Sequence, residues 1–523
     1  MRPIDYFLRS VKKSPATVFL DDGVTKHTYL DAEKRIIRLS NSLHGSGFIV
    51  GDSVAVYSPN SADAMLCIFS AIYAGGAWVP VNIRNSVSTN AQYMAYVKTK
   101  WLFFHSSLLD QIGDVVSQLP DLKNAFCIDA PVDGYKFLPD FIADASVVSV
   151  LDWSDPSSKP EHVFSRWPTG GTTGPSKGVE MTNQNIITMF ELGIKHYVDS
   201  FEGQIVHLAV APITHAAGLM ASIFSAVGGT TIIQESFEAI EVLKAIEKYK
   251  VTHIFFPPTA YYALLDAAKS STFDLSSLKQ ILIAAAPVSP AKLKEGIEVF
   301  GPVVCQCYGQ AEVPMLISML SPTVLADAVK GKYSERVFSC GEVTSCIDVA
   351  ILDDDGRRLP IGEKGEICCR GPLVTPGYFE KASATSDVRK YGWHHTGDIG
   401  YLDEYNFLYI VDRKKDMIIT GGFNVFATEV EAPILEIEEV LECAVIGVPD
   451  ERWGEKVTAI VVLKVPGSIS EKNIIEVIKP KLGSVKTPKT IQFWTSIPKT
   501  AVGKTDKKLI REEFWKDNNR LIN

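Results

Sequence analysis

Hydrophobic positions recur along this chain with two different periods, and the two alternate. Residues 32–43 and 62–73 space their apolar side chains three and four apart, which predicts helices. Between them, 53–57 is a short apolar run ending at Ser58-Pro59-Asn60, which predicts a strand and a turn. Gly75-Gly76 reads as a helix stop, and 78–81 restarts as a strand. The same rhythm continues from 163 to 320, where 205–211, 230–233, 253–256 and 280–284 read as buried strands. Strands alternating with helices predict an α/β fold of layered, mostly parallel sheets. Around 337 the texture changes to short β runs divided by Asp/Gly turns, as in 348–356 and 365–369, which predicts hairpins and a barrel-like subdomain. Its acidic run, 353–356, reads as a solvated hairpin turn, because Gly356 comes too early for a calcium loop. The polar stretch Asp412-Arg413-Lys414-Lys415-Asp416 reads as a linker, followed by βαβ-like texture. The expected domains are 1–412 and a small α+β domain, 413–523.

The longest apolar stretch, 205–233, holds no Asp, Glu, Lys or Arg. His207, Pro212, His215 and Gly228-Gly229 interrupt it, so it predicts strand–turn–helix core rather than a membrane span. The N-terminus carries Asp5, Arg9, Lys12 and Lys13 where a secretory signal needs an apolar core. None of the nine cysteines forms a C-x-x-C pair. They read as structural thiols, which suits a cytoplasmic location. With 523 residues, 46% hydrophobic and 22% charged, the composition is globular. A net charge of −9 argues against nucleic acid as a partner.

The chemistry is densest in Thr169-Gly170-Gly171-Thr172-Thr173-Gly174-Pro175-Ser176-Lys177-Gly178. It follows an apolar run and precedes a helix expected to start near Thr182-Asn183. Four glycines allow close backbone approach, and exposed N–H groups in such a turn form an anion nest. The hydroxyls of Thr169, Thr172, Thr173 and Ser176, with the Lys177 ammonium, complete a donor set suited to phosphate. Neither the G-x-x-x-x-G-K-[ST] nor the G-x-G-x-x-G register fits.

This segment resembles the phosphate loop of the ANL adenylate-forming superfamily, which includes acyl-CoA synthetases, adenylation domains of peptide synthetases, and luciferases. The usual form is T-S-G-T-T-G-x-P-K-G. Here Gly170 stands in place of Ser, and Pro175-Ser176 reverses the usual order. Further motifs follow in family order. Ala284-Ala285-Ala286-Pro287 resembles the G-G-A-P turn beside adenine, and Tyr308-Gly309-Gln310-Ala311-Glu312 resembles Y-G-x-T-E. Thr396-Gly397-Asp398 resembles the ribose-binding T-G-D, and 412–416 the interdomain hinge, followed by Gly421-Gly422-Phe423. Residues 498–504, ending in Gly503-Lys504, resemble the C-terminal lysine motif.

The resemblance implies an AMP-forming carboxylate–CoA ligase with ATP, Mg²⁺ and CoA, acting on a small-molecule carboxylic acid. Residues 1–412 would bind AMP and the acyl group, and 413–523 would be mobile and carry the catalytic lysine. Glu312 would ligate Mg²⁺ together with Thr172, and Tyr308 would stack on adenine. Ala311 replaces the usual Thr, so one phosphate contact is lost. Asp398 would hold the ribose, Arg413 would reach the ribose or phosphate side, Lys415 would be the hinge, and Gly421, Gly422 and Phe423 would face the CoA pantetheine. Lys504 would balance charge at the reacting carboxylate and α-phosphate. His215 would orient the substrate, while His207 is core. The family also implies a homodimer. Because 203–234 lacks any acidic residue, an amino acid with its ammonium is disfavoured, and an apolar fatty or aromatic acid fits better. A stand-alone enzyme that loads a carrier protein, and an ATP-binding homologue with weak catalysis, remain as alternatives.

Overall fold

The computed structural model describes residues 1–148, 155–169, 176–198, 202–499 and 505–515. They fall into two compact units. Of these, the first holds residues 1–169, 176–349 and Cys369–His394; the second holds Ala350–Cys368 and the residues from His395 on.

Two sheets build the first unit. In one, the strands Thr230–Ile233, Val206–Ala209, His253–Phe256, Gln280–Ile283 and Val304–Tyr308 lie side by side, all parallel. The antiparallel strands Ser318–Leu320 and Gly341–Val343 follow them. In the other, Val163–Pro168 pairs with Ala77–Val79, and Ser53–Tyr57, Thr99–Phe104 and Asn124–Cys127 extend the sheet in parallel. Its opposite edge is antiparallel, through Gly178–Thr182 and then Gly377–Tyr378. Strands covered by helices on both faces read as unbroken apolar runs, as the fully buried Ser53–Tyr57 and His253–Phe256 do.

Local signals act where the sequence places them. Helix Ala62–Tyr73 starts at Ser61, whose hydroxyl accepts the Ala64 N–H. It stops at Gly75, which has a φ of +81°. At Gly76, a Cβ would come within 2.8 Å of the Phe48 ring. Helix Asn183–Tyr197 starts with a capping box between Thr182 and Asn185. The long apolar stretch divides into strand Val206–Ala209, helix Ala216–Ser225 and strand Thr230–Ile233. Among the described residues no helix is long and apolar enough to cross a membrane.

The expectation of a barrel-like subdomain needs correction. The β runs after 337 do form hairpins, and Asp353 Oδ1 accepts the Asp355 and Arg357 N–H groups in the turn at 353–357. But Asp348–Leu352 is an edge strand beside Gly365–Arg370, and no closed barrel forms among the described residues. Closure would need a strand to pair with that free edge.

The second unit has its own sheet. Ile418–Thr420 pairs with Phe423–Val425 and with Gly454–Leu463, which also pairs with Val440–Asp450 and Thr490–Phe493. One apolar cluster joins Ile418, Val445, Val457 and Ile491 to Val430, Ile434, Ile474 and Ile478 of helices Ala427–Leu435 and Glu471–Lys486. A second joins Ala444, Ile446 and Ile460 to Ile510 of helix Lys507–Phe514. Six of the nine cysteines, Cys67, Cys127, Cys305, Cys307, Cys368 and Cys369, are buried, and Cys443 packs against the first cluster.

Candidate active site

In open parallel sheets, ligands bind beyond the carboxyl ends of the strands. Three of the motif segments lie there, in the first unit. The turn holding His215 follows strand Val206–Ala209, residues 284–287 follow Gln280–Ile283, and Tyr308 ends Val304–Tyr308.

The His215 turn is held by side chains distant in sequence. Asn60 Oδ1 accepts the Ile213 N–H at 2.8 Å, and its amide donates to the Ala211 and Gln234 carbonyls at 3.0 Å. The Thr214 hydroxyl donates to the Val81 carbonyl at 2.6 Å. At Gly218 a Cβ would lie 2.1 Å from the Ile213 carbonyl oxygen, so only glycine permits this entry into helix Ala216–Ser225. The His215 ring meets Trp167 edge to face at 4.6 Å, and Trp167 meets Trp78 at 5.4 Å. Desolvation lowers the His215 pKa to about 4, so the imidazole is neutral at pH 7. His207, by contrast, is fully buried in its strand, as expected of a core residue. Asn60 had a sequence signal only as the end of a strand; its clamp depends on a fold contact with a segment about 150 residues away.

Ala285 has a φ of +75° and is exposed, with Ala286 half-buried and Pro287 exposed. A left-handed alanine costs about 1 kcal/mol, which explains glycine in the motif that this turn resembles. Tyr308 and Gly309 open a tight turn in which the Gln310 N–H donates to the Val313 carbonyl at 3.0 Å. A Cβ on Gly309 would lie 2.5 Å from the Met315 backbone, so glycine is required there. The Gln310 Oε1 lies 3.4 Å from the His394 ring.

Ala311 and Glu312 are half-buried. The Thr375 N–H donates to the Glu312 carbonyl at 2.9 Å, and the Tyr378 hydroxyl donates to Glu312 Oε1 at 2.7 Å. The Lys177 ammonium lies over the Tyr378 ring, 4.8 Å from its centroid. Lys177 and Thr169 form the neck of the glycine-rich loop. The Thr169 N–H donates to the Lys177 carbonyl at 2.9 Å, and the Lys177 N–H to the Thr169 hydroxyl at 3.1 Å. Residues 170–175, with Gly170, Gly171, Thr172, Thr173 and Gly174, lie outside the described residues. The first unit therefore brings Lys177 and Glu312 together around Tyr378. Tyr378 had no sequence signal: it is placed by strand pairing with Val179, 199 residues earlier.

In the second unit, Asp398 and Arg413 are register partners on the paired strands Trp393–Leu402 and Phe407–Arg413. Arg413 Nε lies 3.1 Å from Asp398 Oδ1. Asp398 is buried, and the Gly397 φ of +72° turns the chain ahead of it. Glu366 braces this turn through Oε1, which accepts the Gly397 N–H at 3.1 Å. Glu366, Cys368 and His395 offer ligand atoms within 4.8 Å of one another. Lys414, at 3.1 Å from Glu366 Oε2, already neutralises that carboxylate.

Lys415 sits in the single turn Lys414–Asp416, and desolvation lowers its pKa. Gly421 and Gly422 turn the hairpin that leads into an exposed Phe423. A Cβ on Gly421 would lie 2.7 Å from the Trp453 indole, so glycine allows the ring to cover the turn. Lys504 lies outside the described residues, but its loop has a defined neck: Lys499 bridges Thr505, and the Asp506 N–H donates to the Pro498 carbonyl at 2.8 Å.

The donor chemistry at Glu312 fits Mg²⁺, a hard cation that takes carboxylate oxygen. Tyr378 occupies Oε1, and among the described residues Oε2 has no hydrogen bond. A bound Mg²⁺ would neutralise phosphate charge there.

Comparison with known proteins identifies the family. Residues 7–379 match the AMP-binding enzyme family, and 429–504 match the AMP-binding enzyme C-terminal domain. The chain is 37% identical to the medium/long-chain-fatty-acid–CoA ligase FadD8 of Mycobacterium tuberculosis, over 80% of this chain and 72% of that one. It is 31% identical to a feruloyl-CoA synthase of Amycolatopsis sp, over 97% and 98% of the two chains. The structure of the amide bond synthetase McbA from Marinactinospora thermotolerans superposes with a TM-score of 0.88 at 27% identity, covering 98% of this chain and 99% of that one. With a family model spanning most of its length and three of the motif segments at the carboxyl ends of one parallel sheet, this chain belongs to the AMP-binding enzymes of the ANL adenylate-forming superfamily.

Proposed function

We propose that this enzyme joins an apolar carboxylic acid to CoA through an acyl-adenylate. The substrate carboxylate attacks the α-phosphorus of ATP, the bond to the β-phosphate bridge breaks, and pyrophosphate leaves. The CoA thiol, with its proton lost to solvent, then attacks the acyl carbon; AMP leaves and the thioester remains. In the first step the protein positions the reactants and stabilises charge. Lys177 and the glycine-rich loop hold phosphate, Tyr308, Ala285, Ala286 and Pro287 face adenine, and Asp398 with Arg413 binds ribose. Lys504 stabilises charge at the carboxylate and α-phosphate. For the second step, residues 413–523 turn about Lys415 and bring Gly421, Gly422 and Phe423 to the pantetheine arm.

One observation carries the choice of acid. The His215 ring is neutral and packed on Trp167, in a segment with no acidic side chain between 203 and 234. An ammonium there would lack a counter-charge, whereas an alkyl chain or an aromatic ring would not. Relatives named for fatty acids and for ferulate favour those same two classes.

The test is pyrophosphate release from ATP over a panel of fatty, aromatic and amino acids, with and without CoA. Release that rises with CoA for an apolar acid is the expected result. Release indifferent to CoA points to a carrier protein as acceptor. No release with any acid points to an ATP-binding homologue with weak catalysis.

A further inference from the structure

We infer that Tyr378 is a positioning residue of the nucleotide site, setting the Glu312 carboxylate through its hydroxyl and the Lys177 ammonium through its ring face. This rests on the proposed role of Glu312 as a ligand of Mg²⁺. Three observations support it. First, the hydroxyl donates to Glu312 Oε1 at 2.7 Å, which fixes the carboxylate and would leave its other oxygen for a metal. Carboxylate ligands are commonly held this way, and losing the outer partner costs about 10–100-fold in metal affinity or activity. Second, Lys177 Nζ lies 4.8 Å from the ring centroid, and among the described residues Lys177 and Glu312 form no ion pair with each other. One side chain thus contacts both groups, the cation through its ring face and the anion through its hydroxyl. Third, Tyr378 is itself rigid. It is 9% exposed, and its N–H donates to the Thr385 hydroxyl at 3.0 Å. Gly377, with a φ of +146°, packs so close to Thr385 that a Cβ would lie 2.4 Å from it.

Arg389 lies close enough to Glu312 to feel its charge, and it donates to the Thr375 carbonyl. Thr375 in turn holds the Glu312 backbone. The support around Glu312 thus comes from 375–389, a segment outside every motif read from the sequence.

The experiment uses the full-length enzyme and the variants Tyr378→Phe, Tyr378→Leu, Glu312→Gln and the Tyr378→Phe/Glu312→Gln double variant. Binding of Mn²⁺ with ATP, in the absence of acid substrate, is measured by electron paramagnetic resonance. Melting temperature and the metal dependence of pyrophosphate release are measured alongside. Tyr378→Phe keeps the ring and is expected to weaken Mn²⁺ binding about 10-fold with little change in melting temperature. The double variant should bind no more weakly than Glu312→Gln alone. Tyr378→Leu also removes the cation platform, so it should additionally raise the KM for ATP. If Glu312→Gln weakens the metal and Tyr378→Phe does not, the inference is overturned while the reading of Glu312 stands. If Glu312→Gln itself leaves metal binding unchanged, both are overturned. Additive losses in the double variant would also overturn a role acting through Glu312.

Discussion

The two units handle charge in opposite ways. In the first, Lys177 and Glu312 sit on either side of a tyrosine and stay apart. In the second, four charged groups meet directly in two ion pairs. Lys507 lies 2.8 Å from Glu431 and Arg511 lies 2.6 Å from Asp416, with all four side chains at most 16% exposed. Asp412, also buried, adds a third carboxylate. Burial opposes the Lys507 charge, yet Glu431 and Asp412 hold its pKa above the ordinary value. Burial likewise opposes an ionised Asp416, but Arg511 and Lys507 hold its pKa below the usual range. For Asp412 burial prevails, and its pKa is raised. Charges that satisfy one another tie elements together: here, the hinge segment to the helix after the Lys504 loop. Charges kept apart are left for a ligand to complete.

The largest test of this contrast is Lys504→Ala, which should lower adenylation about 1000-fold, in the range for lost transition-state charge stabilisation. Transfer from a supplied acyl-adenylate should be largely retained; equal loss in both steps would contradict the assigned role. Next, Lys507→Met should destabilise the protein by about 3 kcal/mol, because Glu431 and Asp412 would be left buried without their cation. Denaturant unfolding measures this, and a stability change near zero would show the network to be dispensable. Glu312→Gln should do the reverse, weakening use of Mg·ATP by about 10–100-fold while leaving stability nearly intact.

A smaller effect should follow pH. His207 and His253 are buried, with pKa values lowered by desolvation to about 3 and about 4. The unfolded chain binds protons on these rings near pH 6.5, whereas the folded chain does not. Their contribution to stability is therefore complete above about pH 6.5 and is lost as pH falls toward 4. Melting temperature measured across that window, with His207→Gln flattening the slope, checks the sign. The smallest effect is expected at Ala285→Gly, which should stabilise the protein by about 1 kcal/mol or less by relieving the left-handed backbone. A loss of stability there would mean that this turn is held by more than its dihedral angle.

Much of the first unit was legible because its signals are local. Strands 53–57, 230–233 and 253–256 and helix 62–73 follow the expected bounds, since burial on both faces, a serine cap and a glycine stop each act within a few residues. The helix expected near Thr182-Asn183 begins there because Thr182 and Asn185 cap it from within one turn. The barrel-like reading failed for the complementary reason: alternating β runs specify hairpins, but whether two sheet edges meet depends on twist and stagger summed over many strands.

Within the candidate site the division is similar. The sequence by itself determined the chemistry-bearing segments, because glycine at 309 and 421 and carboxylates at 312 and 398 meet requirements of backbone space and charge. It also determined the absence of a counter-charge in 203–234. Only the tertiary structure decided which partners those groups have. Asn60 clamps the His215 turn, Arg413 faces Asp398 across a ladder, and Tyr378 stands between Lys177 and Glu312. These contacts join residues far apart in sequence, and they exist only after the sheets pair, because a hydrogen bond or a ring contact is satisfied within a few ångströms however long the intervening chain.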